Sequence, residues 1–201
     1  MILEGLFTTT NLDGSVNIAP MGPIVDLEMK SLRLRPFQTS LTFANLARTG
    51  QGVFHVVDDV HLLARAAIGP VEPPPALTRV EASDPESFAG WFINDACRWY
   101  AVRVTSLNDS QARAEIDAAV VAQGHLRDHF GFNRARHAVL EAAILATRVA
   151  ILPVSEILAE FDKLRVIVAK TGGEPEVAAL DLLTTYVQSS LPPLNALDIT
   201  G

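Results

Sequence analysis

The chain has 201 residues, of which 49% are hydrophobic and 19% are charged, and its formal net charge is −7. A chain of this length and apolar content buries a core large enough for one domain, or for one domain with an appendage, and is not intrinsically disordered. The acidic balance argues against a nucleic-acid partner, because phosphate backbones are bound by clustered Lys and Arg.

A single cysteine, Cys97, permits neither an intrachain disulfide nor a cysteine zinc cluster, so the sequence predicts a cytoplasmic protein. The N-terminus lacks the basic region of a signal peptide, and no uncharged apolar run reaches 18 residues, so we expect no membrane partner. Because charge is sparse and aliphatic residues are plentiful, we expect apolar surface to be covered in a homodimer.

The first 60 residues are predicted to form strands and tight turns. Asp13-Gly14 separates two β-prone runs, which is a strong hairpin signal because glycine adopts the positive φ of a primed turn. The return strand is expected to end at Pro20, since proline interrupts pairing and leaves backbone amides unpaired. The predicted strands cover residues 2–9, 16–19, 31–34 and 52–57.

Two short helices and a second hairpin follow from local signals. Thr39 or Ser40 is expected to cap a helix that runs to about Arg48, and Asp58 or Asp59 is expected to cap another over residues 60–67. The proline-rich residues 69–75 are predicted to form a loop. Alternating residues 99–107 and 111–121 predict the second hairpin.

The periodicity becomes helical near residue 132. Asn133 is expected to cap a helix over residues 134–149, and Pro153 to break it. Ser155 is expected to cap a helix that runs to about Lys170, and a last helix is predicted over residues 174–188. Strands followed by helices predict an α+β fold, with an antiparallel barrel or sheet over residues 1–122 and a helical region over residues 123–201 packed on the barrel.

The common catalytic signatures are missing from the sequence. His125 and His129 are four residues apart, but no acidic residue follows at a spacing that completes a ligand set, so we predict no metal site. Arg35 precedes Thr39 and Ser40 at a helix start, where an anion is attracted by first-turn amides and by arginine. The same two hydroxyl residues are also ordinary helix caps, so the residues alone leave both interpretations open.

Several segments together resemble a known family. Thr8-Thr9 and the run from Asp13 to Pro23 are similar to the opening of FMN-binding split-barrel proteins of the flavin-reductase and pyridoxamine-phosphate-oxidase-like group. The whole set resembles the uncharacterised family called domain of unknown function 447. The other segments that carry this resemblance are residues 35–40, Asn45-Leu46, residues 52–56, Asp58-Asp59, residues 130–138 and residues 170–173.

This resemblance implies an antiparallel split β-barrel of the FMN-binding type, usually dimeric, followed by a C-terminal helical region. It implies FMN as the cofactor, with Asn17, Ala19, Pro20 and Met21 along the isoalloxazine edge. The residues implied at the ribityl phosphate are Arg35, Phe37, Gln38, Thr39 and Ser40. It implies no particular reaction, so the leading expectation is an FMN-dependent oxidoreductase of unknown substrate with no catalytic residue assigned.

Two alternatives to that function remain open at this stage. One is a non-catalytic flavin carrier or sensor, and the other is a structural interaction protein without flavin. The predicted helix after Asn133 adds a charged stripe of Arg134, His137, Glu141 and Arg148 on an otherwise apolar helix. Either that stripe forms ion pairs that fix the helical region against the barrel or a second subunit, or Arg134 and His137 face the flavin pocket and contact substrate or phosphate.

Overall fold

The computed structural model describes residues 1–81 and 88–190, and the chain divides into two compact units, Met1–Gly131 and Phe132–Gly201. The boundary expected from the sequence, between residues 122 and 123, falls within a strand of the first unit. Each unit has its own core. None of the described helices is long and apolar enough to cross a membrane.

The first unit is a curled antiparallel half-barrel of seven strands. Its order is β2-β1-β5-β8-β9-β4-β3, and the two remaining strands, β6 and β7, pair with each other. The strands are β1 (Gly5–Thr10), β2 (Val16–Met21), β3 (Ile24–Val25), β4 (Ser31–Leu34), β5 (Gln51–Val56), β6 (Leu77–Arg79), β7 (Trp91–Ile93), β8 (Arg98–Asn108) and β9 (Glu115–His125).

The first hairpin forms as the sequence predicts, but its second strand is longer. Gly14 has a φ of 84° in the turn, and Thr10 faces Val16 across the pair. The expected end of the strand at Pro20 is wrong, because β2 continues to Met21 and Pro20 pairs with Leu6. Proline has no N–H to donate, but an edge strand tolerates it, because backbone groups on the outer side of such a strand have no strand partner.

Two helices of the first unit begin and end at the predicted signals. Helix α1 (Leu41–Thr49) starts at Ser40, whose Oγ accepts the N–H of Phe43, and Gly50 closes it at a φ of 66°. Helix α2 (Val60–Ile68) starts at Asp59, whose carboxylate accepts the N–H of Leu62. Of the two cap candidates at each helix, the second is therefore the cap.

The long hairpin of β8 and β9 closes the apolar core of the half-barrel. Two register shifts along this pair bend it, which is how antiparallel sheets curl. Phe7, Leu34 and Ile116 are completely buried in the core. The sequence analysis missed the short strands β3, β6 and β7, whose two or three residues give too little alternation to detect.

The second unit consists of three helices in its described part: α3 (Arg134–Ala146), α4 (Val154–Thr171) and α5 (Glu174–Ser189). Asn133 caps α3 as expected, because its side chain accepts the N–H of Arg136. The expected cap at Ser155 is wrong, since α4 begins at Val154 and no side chain caps it. Buried alanines of α3 let the helices approach closely, and Phe161 and Leu183 fill the space between them.

Candidate functional site

The first unit contains a cavity of about 840 Å³ beside the outer edge of β2. Its walls are β2 with its hairpin turn, the first turn of α1, and the segment from the end of α2 to Leu77, with Trp91 of β7. We call it the β2–α1 cavity. Its volume lies within the range of roughly 300–1,000 Å³ that is usual for cofactor sites.

Backbone groups give this cavity much of its polarity. Because β2 is the edge strand, alternate N–H and C=O groups of Val16–Ala19 have no strand partner. The first amides of α1 have no carbonyl partner within the helix. Ser40 Oγ accepts one of them, from Phe43, whereas Leu41 and Thr42 line the cavity. The cavity thus offers neutral donors and acceptors, with the positive end of a helix dipole at one side.

A buried network of amides and hydroxyls supports these walls. Asn17 Nδ2 lies 3.1 Å from Thr42 Oγ1 and 3.3 Å from Thr9 Oγ1, which joins β2 to α1 and β1. Asn45 Nδ2 donates to Thr9 Oγ1 at 3.0 Å and to Asn11 Oδ1 at 2.7 Å. Three of these residues are at least 95% buried, so the network fixes α1 against the hairpin.

The opposite wall is apolar. It comes from the proline-rich segment after α2, which includes Ile68, Pro70 and Val71, and from the indole of Trp91. Glu72 is the one ionisable side chain that lines the cavity within the described residues, and it is exposed. A ligand in this cavity would therefore be oriented by hydrogen bonds and apolar contact, with little side-chain charge around it.

The structure brings some of the expected cofactor residues together at this cavity. Asn17, Ala19 and Ser40 line it. Pro20 and Met21 continue along β2 beyond the lining residues, and Thr39 is exposed one position before the helix cap. The Ser40 hydroxyl forms two hydrogen bonds: it accepts the N–H of Phe43 and donates to the carbonyl of Phe37 at 2.7 Å.

The remaining expected residues contact the turn between β8 and β9. Arg35 Nε lies 4.0 Å from a carboxylate oxygen of Glu115, and both side chains are about half exposed. Phe37 is covered on one face by the guanidinium of Arg113, 4.1 Å from its centroid. Gln38 Nε2 donates to two backbone carbonyls of the turn, those of Asp109 and Gln111. None of these three side chains lines the β2–α1 cavity.

The sequence analysis missed the wall formed by Ile68, Pro70 and Val71. The only signal there was a proline-rich loop, and nothing local shows that such a loop returns to the edge of β2. Phe92, the neighbour of Trp91, does not line the cavity. Its ring stacks on that of Trp99, with ring centroids 5.0 Å apart.

His55 is a structural residue at the centre of the sheet. Its Nδ1 lies 3.2 Å from the carbonyl of Leu6, and its Nε2 accepts the N–H of Ile93 at 3.1 Å. Complete burial lowers the pKa of its imidazole to about 4, so the ring is neutral. His125 pairs instead with Asp128 at 3.1 Å, and the described residues include no group of three potential metal ligands.

Comparison with known proteins places the chain in a family. Residues 3–127 match the family described as "Protein of unknown function (DUF447) N-terminal domain", and residues 133–185 match the one described as "Protein of unknown function (DUF447)". The chain belongs to the DUF447 family. The resemblance noted in the sequence is thereby confirmed, and the two matched regions correspond to the two units of the structure. No curated protein matches the chain.

Solved structures share the fold. The FMN-bound DUF447 protein MM1853 of Methanosarcina mazei is 22% identical, with a TM-score of 0.79 over 94% of this chain and 95% of its own. Flavoredoxin from Methanosarcina acetivorans is 12% identical, with a TM-score of 0.51 over 62% of this chain and 68% of its own. Nitrilotriacetate monooxygenase component B from Bacillus cereus is 15% identical, with a TM-score of 0.51 over 66% and 74%. The predicted split-barrel fold with C-terminal helices is thus confirmed.

Proposed function

We propose that this DUF447 protein binds FMN in the β2–α1 cavity. The observation that carries the proposal is the construction of that cavity from an edge strand and a helix start, which together supply neutral hydrogen-bonding groups and an anion-attracting end. The FMN-bound structure of a protein of the same family, which matches 94% of this chain, supports the proposal.

The residues present fit the chemistry of FMN. The polar edge of an isoalloxazine ring needs donors and acceptors, which Asn17 and the free edge of β2 provide. Its apolar faces need cover, which Ile68, Val71 and Trp91 provide. The phosphate needs an anion site, and the amides of Leu41 and Thr42 at the start of α1 offer one.

We further propose that the protein is an FMN-dependent oxidoreductase. A bound flavin supplies hydride and electron transfer by itself, so the protein need only bind and orient the reactants. The cavity is consistent with this, because Glu72, the one ionisable side chain that lines it within the described residues, is exposed. We accordingly assign no general acid or base and leave the substrate open.

Cofactor identity is tested by acid release of the bound flavin followed by chromatography. We expect FMN, because a single helix start accommodates one terminal phosphate and the sequence has no dinucleotide fingerprint. Recovery of mainly FAD, or no flavin after reconstitution with FMN, would contradict the proposal.

Oxidoreductase activity is tested separately, on the FMN-loaded protein. Under anaerobic conditions we expect NADH or NADPH to bleach the flavin absorbance of the protein. A flavin that is bound but reduced by neither nicotinamide would favour the carrier or sensor function instead. A protein that binds no flavin would leave the structural interaction function.

A further inference from the structure

The helical unit contains a second cavity, of about 360 Å³, between α3 and α4. We call it the α3–α4 cavity. None of its lining residues lines the β2–α1 cavity. They are Phe132, Asn133, Arg134, His137, Ala138, Glu141, Leu164 and Ile167.

Half of these lining residues are apolar. Leu164 and Ile167 are three residues apart on α4, so they present one face to the cavity, opposite Ala138 of α3. Phe132 stands at the cavity with 98% of its surface exposed, and its ring centroid is 6.0 Å from that of His137. A bound molecule with a flat apolar body would cover aromatic and aliphatic surface that is now in contact with water.

The polar part of the lining comes from one face of α3. Arg134, His137 and Glu141 are at positions i, i+3 and i+7, and the first and last are about 10 Å apart along the helix axis. Within the described part of the chain, Arg134 and Glu141 form no ion pair and no side-chain hydrogen bond. Arg136 on the same helix, by contrast, pairs with Glu176 at 3.1 Å.

This arrangement has a direction. The guanidinium of Arg134 is available to bind a carboxylate, with which arginine forms two parallel N–H···O hydrogen bonds. Glu141 at the other end repels a second negative charge. The charges therefore match a molecule with one carboxylate, at the Arg134 end, and no second anionic group at the Glu141 end.

We propose that the α3–α4 cavity is a binding site for a small organic monocarboxylate with a flat apolar body. Its carboxylate pairs with Arg134, and its body packs between Leu164, Ile167 and the ring of Phe132. Three residues of the charged stripe, Arg134, His137 and Glu141, are thus assigned to a ligand of this cavity, and Arg148 lies beyond the end of α3. This proposal does not depend on FMN binding.

The test is calorimetric titration of the full chain with three probes, each with and without saturating FMN. Benzoate has the proposed shape and charge, benzyl alcohol lacks the charge, and terephthalate adds a second carboxylate at the far end. We expect benzoate to bind at one site per chain, with both other probes at least about ten-fold weaker. FMN should not displace benzoate.

Variants of α3 locate the site. Arg134→Gln should weaken benzoate by about ten- to hundred-fold and remove its advantage over benzyl alcohol. Glu141→Gln should strengthen terephthalate binding and leave benzyl alcohol unchanged. Arg148→Gln is the matched control, because Arg148 is exposed just beyond the end of α3 and does not line the cavity.

Three results would overturn the proposal. The first is the absence of saturable benzoate binding to the wild-type chain. The second is equal weakening of benzoate by Arg134→Gln and Arg148→Gln, which would indicate a general effect of positive charge. The third is displacement of benzoate by FMN, which would put the probe in the other cavity.

Discussion

The imidazole of His55, on β5, joins β1 of the seven-stranded sheet to β7 of the two-stranded pair, and it is neutral because it is buried. Its pKa is about 4 in the folded protein and near 6.5 in the unfolded chain. Between these values the unfolded chain binds the additional proton, so acidification favours unfolding. The contribution of His55 to stability is complete above pH 6.5, falls as the pH drops toward 4, and changes no further below that.

We therefore expect the free energy of unfolding to decrease by up to about 3 kcal/mol between pH 6.5 and 4 because of this one residue. In His55→Gln, urea unfolding followed across that range should lack this part of the slope. His61→Gln is the control, because His61 is only partly buried and lies in the first turn of α2, outside the sheet. An unchanged pH slope in His55→Gln would show that His55 is protonated without cost.

Arg35 is the expected phosphate ligand that the structure places against Glu115, outside the lining of the β2–α1 cavity. It stays a prediction. If Arg35 binds the phosphate, Arg35→Ala should weaken FMN by about ten- to hundred-fold and riboflavin, which has no phosphate, hardly at all.

Calorimetric titration of both ligands distinguishes the roles of Arg35. Arg113→Ala is a matched control, because it also removes one positive charge near the β8–β9 turn. The side chain of Arg113 contacts Phe37, whereas that of Arg35 lies near Glu115. Equal weakening of FMN and riboflavin by Arg35→Ala would mean that Arg35 only supports the fold. The phosphate would then depend on the start of α1.

At the scale of elements, β1 and β5 pack closely because Gly52 has no side chain. A Cβ at Gly52 would overlap the ring of Phe7, which is completely buried on the neighbouring strand. Gly52→Ala should therefore lower the free energy of unfolding by about 1–3 kcal/mol, as overpacked cores do.

The comparison is with Gly69→Ala, where a Cβ meets no atom within 4 Å and the backbone is extended at a φ of 163°. Chemical denaturation of both variants measures the difference. Equal stabilities would show that the Phe7 ring moves aside without loss.

Elements whose signals are local could be predicted from the sequence. Local side chains, within three residues, determine the Asp13-Gly14 turn and the helix caps at Ser40, Asp59 and Asn133. A short stretch of sequence is therefore enough to predict them. The continuation of β2 through Pro20 depends on its place at the sheet edge, which only long-range pairing decides. The β2–α1 cavity likewise depends on contacts between segments that are distant in the sequence.

Three residues that line the β2–α1 cavity, Asn17, Ala19 and Ser40, are among those that the family resemblance implies at the cofactor. The opposite wall, which includes Ile68, Pro70 and Val71, arises because the proline-rich segment after α2 folds back on β2. Arg35, Phe37 and Gln38 were expected beside Ser40 at the phosphate through the same resemblance. In the structure the side chains of Phe37 and Gln38 contact the β8–β9 turn, and that of Arg35 lies near Glu115 at the start of β9.

At the scale of the whole molecule, a homodimer stays a prediction. Leu12 and Leu41 are 87% and 62% exposed, and both are adjacent to or part of the lining of the β2–α1 cavity. Leaving such residues in water is unfavourable, so we expect a two-fold dimer with an interface above roughly 2,000 Å². Sedimentation at micromolar concentration should give twice the monomer mass, and a monomer that retains FMN would contradict this.

The central claim is that FMN binds in the β2–α1 cavity, and fluorescence titration of FMN tests it most directly. Ala19→Phe places a ring inside the cavity from the middle of β2, whereas Val121→Phe places the same ring on an exposed position of β9. We expect saturable quenching with wild type and Val121→Phe, and at least about hundred-fold weaker binding to Ala19→Phe at an unchanged melting temperature. Equal affinity of all three for FMN would contradict the account.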